Sequence, residues 1–182
     1  MKKILVVTDE QIDFTTGCLG NEECAATVSA VVEVLEEGAY DKVYVTRDTH
    51  QENYLETQEG KRLPVVHCVE NTPGWQIAEP VWTACVENYR GNQLVTLNKP
   101  TFGSLTLGQL LREDCDAFAP EDVEIHFVGV CTGICVISNV IIAKAAAPEA
   151  RVCVIERACA CVTPESHQTA LAAMKTCQVD II

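Results

Sequence analysis

Cys135 lies in Gly129-Val130-Cys131-Thr132-Gly133-Ile134-Cys135-Val136, directly after the apolar run Ile125 to Val130 and at the head of a long, uncharged, helix-like stretch. At a strand-to-helix junction, first-turn amides and the positive end of the helix dipole favour thiolate over thiol, which makes the sulfur a nucleophile. Most of the eleven cysteines read as small buried hydrophobes. Position sets Cys135 apart. Covalent chemistry at a thiol needs a proton acceptor, and Asp9 in Thr8-Asp9-Glu10-Gln11-Ile12-Asp13-Phe14 reads either as a strand-ending cap or as that acceptor. Lys99, in Asn98-Lys99-Pro100-Thr101-Phe102-Gly103, reads either as a solvated loop charge or as the cation that favours the thiolate. Cysteine, aspartate and lysine together make a complete acyl-transfer set without histidine. Backbone N–H groups of Cys131 and Cys135 at the helix entrance could supply its oxyanion donors.

A second cluster lies in Asp48-Thr49-His50, Glu56, Glu59 and His67. Carboxylate and imidazole at alternate positions beyond a strand can point to one side, and a later His from a loop would complete coordination of zinc, manganese or iron. Taken singly, each His reads as a surface or hydrogen-bonded core residue. His126 lies inside a strand and His167 near a helix start, and neither is assigned a role. The spacings Cys131 to Cys135 and Cys159 to Cys161 do not form a paired CxxC set, which argues against a structural zinc site built on thiolates. An odd cysteine count in a chain rich in periodic apolar segments argues against a secreted disulfide scaffold, so the thiols read as reduced. A redox-sensing role is the competing view of them, and it needs two exposed thiols able to close on each other.

These residues must be positioned by an alternation of short β-branched runs and helix-like segments. Strands are expected at Ile4 to Thr8, Val43 to Thr46, Leu94 to Leu97, Ile125 to Val130, Val152 to Ile155 and Val179 to Ile182. Helices are expected at Glu23 to Glu37, Leu105 to Asp114, Ile134 to Ala146 and Pro164 to Thr176. The first of these carries an apolar stripe at Ala25, Val28, Val32 and Leu35 and ends near Gly38. Strands apolar throughout imply burial on both faces. The expected fold is therefore α/β: one domain over 1–182, three-layered and Rossmann-like, with a six-stranded, mainly parallel sheet flanked by helices. Ligands bind such sheets beyond the carboxyl ends of the strands. Asp9, Asp48, Lys99 and the Cys131 to Cys135 segment each follow one of the first four strands, so they converge on one rim. The longest irregular region, His50 to Gln76, is expected to serve the site or to be ordered by a ligand.

At 182 residues and 48% apolar content the chain can bury a substantial core. A formal net charge of −13 repels phosphate backbones, and no Lys/Arg cluster offsets it, which argues against a nucleic-acid partner. The apolar run after Met1-Lys2-Lys3 ends at Asp9, too short for a signal-peptide core or a membrane span, so a cytoplasmic location without membrane association is expected.

Four motifs in order, Asp9-x-Gln11-x-Asp13-Phe14, Asp48-x-His50, the Lys99 loop and Gly129-Val130-Cys131-Thr132 ending in Cys135, resemble the isochorismatase-like cysteine hydrolases, and within them the nicotinamidase-like amidases. The resemblance runs from about Ile4 to the last helix. It implies Cys135 as nucleophile, Asp9 as proton shuttle, Lys99 as electrostatic partner, a cis peptide between Val130 and Cys131, and the Cys131 and Cys135 amides as the oxyanion hole. It implies a divalent metal ion, zinc, manganese or iron, held by Asp48, His50, His67 and a fourth ligand, for which Glu59 fits better than Glu56 by spacing from Asp48. Phe14 is implied in the substrate wall. The substrate implied is a small amide, nicotinamide foremost, with isochorismate or a ureido or carbamoyl compound as alternatives and a non-enzymatic thiol sensor as a third reading. Relatives associate, so a homo-oligomer, dimer or tetramer, is expected. Two positions depart from the pattern: Gly133 stands where many relatives place Asp, and Pro64 where some place a stacking Trp, for which Trp75 or Tyr54 could substitute.

Overall fold

The computed structural model describes residues 1–119 and 122–182. Six strands, β1 (Lys2–Thr8), β2 (Lys42–Asp48), β3 (Leu94–Lys99), β4 (Val123–Val130), β5 (Arg151–Ala160) and β6 (Asp180–Ile181), form one sheet in the order β3-β2-β1-β4-β5-β6. Every pairing is parallel. Around the sheet, among the described residues, run α1 (Ile12–Thr15), α2 (Glu22–Glu37), α3 (Glu79–Asn88), α4 (Leu105–Asp116), α5 (Ile137–Ala146) and α6 (Pro164–Thr176). None of them is long and apolar enough to cross a membrane.

Alternation along β1 separates the two cores. Ile4 and Val6 pack with Leu107, Leu111, Val140 and Met174 from α4, α5 and α6, whereas Leu5 and Val7 pack with Val31, Leu35, Val81 and Ala84 from α2 and α3. Each such side chain, fully buried, contributes about 2 kcal/mol of hydrophobic free energy. That two-sided burial is what fixes parallel strands between helical layers. Helix starts are set by side-chain caps: Asn21 Oδ1 accepts the Cys24 N–H at 2.8 Å, Ser104 Oγ the Leu107 N–H at 3.1 Å, and Thr163 Oγ1 the Ser166 N–H at 3.1 Å.

Several expected elements shift. The buried face of α2 is Cys24, Thr27, Val31, Val34 and Leu35. Ala25, Val28 and Val32, expected on the core stripe, are half-buried at its margin, because the apolar surface of this helix is broader than one stripe. Helix α3 was not legible as a helix: it is short, and Pro80 sits in its first turn, where proline is tolerated. Strand β5 runs to Ala160, five residues beyond the expected end, through an irregularity in its pairing with β4. Strand β6 is reduced to Asp180–Ile181. The stretch expected as one helix from Ile134 is a π-helical turn, Thr132–Val136, followed by α5. The Val130–Cys131 peptide bond is cis.

The sheet order reverses direction at β1 and β4. The crevice beyond their carboxyl ends is where doubly wound sheets bind ligands. Asp9 follows β1 there, and the Cys131–Cys135 turn follows β4.

Candidate active site

Four neighbouring strands deliver one group each to this rim. Asp9 follows β1 with a positive φ of 50° and no solvent exposure, Asp48 ends β2, Lys99 ends β3, and Cys135 lies in the π turn after β4. The Lys99 ammonium is 2.6 Å from Asp9 Oδ2, 3.6 Å from Asp48 Oδ1 and 3.5 Å from Cys135 Sγ, and it donates to the Thr101 carbonyl at 3.1 Å. Thr46 Oγ1 donates to Asp9 Oδ1 at 2.7 Å and fixes the carboxylate's second oxygen. The Asp9 carboxylate lies close enough to the Cys135 thiol to raise its proton affinity. Three side chains that sequence separates widely are thereby in contact.

Burial decides their resting charges. It raises Asp9's proton affinity above that of an ordinary carboxylic acid, with Asp48 adding to the effect and Lys99 opposing it. Burial opposes charge on Lys99 too, yet Asp9, Cys135 and Asp48 around it keep it firmly protonated. The Cys135 thiol is pushed well up, first by burial and then by the Asp9 charge, with Lys99 only partly compensating. The expectation that the helix entrance alone yields a thiolate is therefore corrected. A sealed sulfur beside a carboxylate rests as a thiol, and its proton must leave as the bond to substrate forms. Asp9, bridged to it by the Lys99 ammonium and higher in proton affinity than usual, is placed to take that proton.

Beside this group stand Asp48, His50, Glu59 and His67, whose donor atoms all lie within 4.8 Å of one another. His50 Nε2 is 3.0 Å from Asp48 Oδ2 and 3.6 Å from Glu59 Oε1; His67 Nε2 is 3.6 Å from Asp48 Oδ2 and 4.0 Å from Glu59 Oε1. Ligands about 2.1 Å from a tetrahedral ion stand roughly 3.4 Å apart, close to these spacings. His67 Nδ1 is held by the Val65 carbonyl at 2.7 Å, which leaves its Nε2 lone pair facing the cluster. Asp48 Oδ1 and His50 Nε2 are buried without a hydrogen-bond partner. Converging, unpartnered nitrogen and oxygen donors fit a divalent ion. Glu56 is exposed and outside the cluster, so the fourth position falls to Glu59.

The first motif turns out to be the frame for both groups. The Gln11 amide donates to the carbonyls of Asp48 (2.8 Å) and Trp75 (2.9 Å) and accepts the Asp48 N–H at 2.7 Å, locking the end of β2 to the loop that returns from His67. Asp13 Oδ2 accepts the Cys68 N–H at 2.7 Å, which anchors the chain next to His67. Phe14 borders this four-residue cluster, its ring 5.4 Å from that of His67. Trp75 is committed to the scaffold: its indole N–H donates to Thr49 Oγ1 at 2.8 Å and its ring lies 3.9 Å from the Arg47 guanidinium. Tyr54, fully buried, packs on both histidines at 4.5 and 4.9 Å.

Two supporting residues escaped sequence reasoning. Asn139 Nδ2 donates to the Cys135 carbonyl at 3.0 Å while its Oδ1 accepts the Ser104 N–H at 2.9 Å, tying the nucleophile's turn to the start of α4. His167 Nδ1 meets Thr132 Oγ1 at 2.8 Å and steadies the same turn. Both are ordinary polar residues in helices, and only the tertiary contact reveals them. A cleft of about 410 Å³, lined by Glu59, Arg62, Leu63, Thr101, Phe102 and Gln58, opens beside the candidate ligand set and the Lys99 loop.

A family model described as the isochorismatase domain matches residues 3–182. No curated protein sequence matches the chain. Among solved structures, a pyrazinamidase/nicotinamidase from Streptococcus mutans is similar at a TM-score of 0.84 and 23% identity, covering 100% of each chain. A nicotinamidase/pyrazinamidase from Bacillus subtilis is similar at 0.81 and 23%, covering 100% of this chain and 99% of that one. A pyrazinamidase from Pyrococcus horikoshii in complex with zinc is similar at 0.75 and 25%, covering 100% and 99%.

Proposed function

From the premise that the chain belongs to the isochorismatase family of hydrolases, we propose that it is a metal-assisted cysteine amidase whose substrate is a small amide, nicotinamide foremost. The observation that carries this reading is the contact of Lys99 with both Asp9 and Cys135, 2.6 and 3.5 Å away, beside a four-residue ligand set.

Cys135 attacks the amide carbon while its proton passes to Asp9. The N–H groups of Cys131 and Cys135 hold the oxyanion of the tetrahedral adduct. Asp9 returns the proton to the leaving nitrogen, and ammonia departs from an acyl-enzyme on Cys135. Asp9 then deprotonates a water that attacks the thioester, releasing the acid and restoring the thiol. Lys99 keeps Asp9 charged at the start and balances the negative charge as it moves between oxygen and sulfur. Asp48, His50, Glu59 and His67 would hold a divalent zinc, manganese or iron ion, which supplies a Lewis-acid contact that orients a heterocyclic nitrogen or a water. Phe14, at the edge of that cluster, walls the ring of the substrate.

The commitment of Trp75 to Arg47 and Thr49 favours a second reading with the same machinery. With that ring unable to stack on a heterocycle, the site could take a ureido or carbamoyl compound, or isochorismate. Ammonia release measured across nicotinamide, pyrazinamide and ureido acids, with and without chelator, separates the two. Chelator-sensitive turnover of the pyridine or pyrazine amide supports the first reading, turnover of ureido acids alone supports the second, and no ammonia from any of them together with no pyruvate from isochorismate contradicts both.

A further inference from the structure

Three of the eleven cysteines meet outside the catalytic cluster. The Cys131 side chain packs against the buried cluster of Cys24, Val130 and Ala160 and neighbours Cys161, and Cys24 Sγ donates to the Cys161 carbonyl at 3.7 Å. Strands β4 and β5 pair through Gly129 with Cys159 and Val130 with Ala160. Cys131 and Cys161 are each one residue further along, just past the paired ends of the two strands. Neighbouring strands run about 4.8 Å apart, within the roughly 4.4–6.8 Å that a disulfide spans between Cα atoms.

The two sulfurs are not equivalent. Cys161 Sγ accepts the Gly133 N–H at 3.4 Å. The neighbouring Cys131 side chain, together with this amide, holds the Cys161 thiol below its ordinary value, at about 5. Cys161 is itself buried, at 2% exposure, but it forms part of the wall of two clefts, of about 270 and 500 Å³, that bring a small oxidant up to it. Gly133 leaves the approach open, since a Cβ there would sit 3.3 Å from the Cys161 sulfur. Cys24 is completely buried and touches neither cleft.

We propose that Cys161 and Cys131 form a peroxide-sensitive pair that closes to a disulfide. The Cys161 thiolate attacks the O–O bond of a small hydroperoxide; one oxygen stays on sulfur as the sulfenic acid, and the other leaves, protonated, as water or an alcohol. The Cys131 thiol then attacks the Cys161 sulfur, the S–S bond forms, and the sulfenic oxygen departs as water. The peroxide gains two electrons and the thiol pair loses two. The Cys131 carbonyl anchors the turn that carries Cys135, accepting the N–H groups of Ile134 at 3.0 Å and Val136 at 3.2 Å. Closing the bridge shifts that anchor and slows turnover. This consequence rests on the proposed amidase function, whereas the bridge does not.

The test uses full-length Cys135→Ala protein, so that oxidation of the nucleophile does not intrude. Reduced protein is treated with hydrogen peroxide, alkylated and digested, and fragment spectra separate Cys161 from Cys159 and Cys131 from Cys115. A Cys131–Cys161 cross-linked peptide that dithiothreitol removes is the expected result. Absence of that peptide, or a bridge made instead by Cys24 or Cys159, overturns the proposal. In the otherwise native enzyme, Cys161→Ser should keep ammonia release within about twofold when reduced and lose it at least fivefold more slowly in peroxide. Equal rates of loss would overturn the regulatory consequence alone.

Discussion

Lys99 Nζ stands 3.5 Å from Cys135 Sγ, a contact between residues 36 positions apart that joins the end of β3 to the turn after β4. The same ammonium is 2.6 Å from Asp9, so one buried cation bridges the proton acceptor and the sulfur. Its position stabilises whichever partner carries the negative charge. A proton can therefore shift from thiol to carboxylate without a change of net charge in the crevice, which a low-dielectric site penalises heavily.

Asp9→Asn keeps the size and the Thr46 contact but cannot accept the thiol proton. Its kcat should fall by about 10²–10⁴ with the fold intact, as checked by steady-state ammonia release alongside circular dichroism. A variant within threefold of the parent would remove Asp9 from the reaction. Because burial raises the proton affinity of Asp9 above its ordinary value of 3.8, the acid limb of the kcat/KM profile should lie above the usual aspartate range. Activity is lost as pH falls through that limb.

Lys99→Met should cost stability as well as rate. It leaves Asp9 and Asp48, both almost fully buried, without their shared cation, and removing one partner of a buried pair costs about 3–5 kcal/mol. Urea denaturation reads this directly. A change below about 1 kcal/mol would mean that the carboxylates find other compensation.

His67→Ala should lower bound divalent metal in the purified protein and reduce ammonia release at least tenfold, as measured by elemental analysis and kinetics together. The parent should lose melting temperature on chelation, since an ion that binds only the folded chain stabilises it. Retention of the full metal content by His67→Ala would show that the ion sits elsewhere.

Glu10, next in sequence to Asp9, offers a pH test that reads stability rather than turnover. It is completely buried, with Thr27 Oγ1 donating to one carboxyl oxygen at 2.9 Å and the other unpartnered, and burial pushes its pKa from 4.5 up to about 8. The folded state therefore holds this proton more tightly than the unfolded chain. The resulting stabilisation is complete below about 4.5 and is lost as pH rises through about 8. Glu10→Gln should remove that dependence, and its melting-temperature advantage over the parent should grow between pH 5 and pH 9; a constant difference across this window would contradict the account.

The strands and the convergence of their ends on one rim were legible because apolar β-branched runs end in Asp9, Asp48, Lys99 and the Cys131 turn, and a parallel sheet sends all four ends to one side; the order of the strands in the sheet was not. The grouping of Asp48, His50, Glu59 and His67 was legible by type and order, and the preference for Glu59 over Glu56 by the resemblance's spacing from Asp48; the structure brings these four side chains together. Helix α3 was missed because ten residues with an early proline carry a weak periodic signal. The protonation of Cys135 was misjudged since burial, invisible in sequence, outweighs the favourable amides at a helix entrance. Gln11, Asp13, Asn139 and His167 act through tertiary hydrogen bonds to backbone or side chains far along the chain, and their residue types alone do not announce that.

The most direct test of the central claim is intact-protein and peptide mass measurement after rapid acid quenching of the enzyme during turnover of nicotinamide. The account predicts an added nicotinoyl group located on Cys135, absent from Cys135→Ala, which should release no ammonia while melting like the parent. Ammonia release by Cys135→Ala at the parent's rate, or an acyl group carried on any other residue, would contradict it.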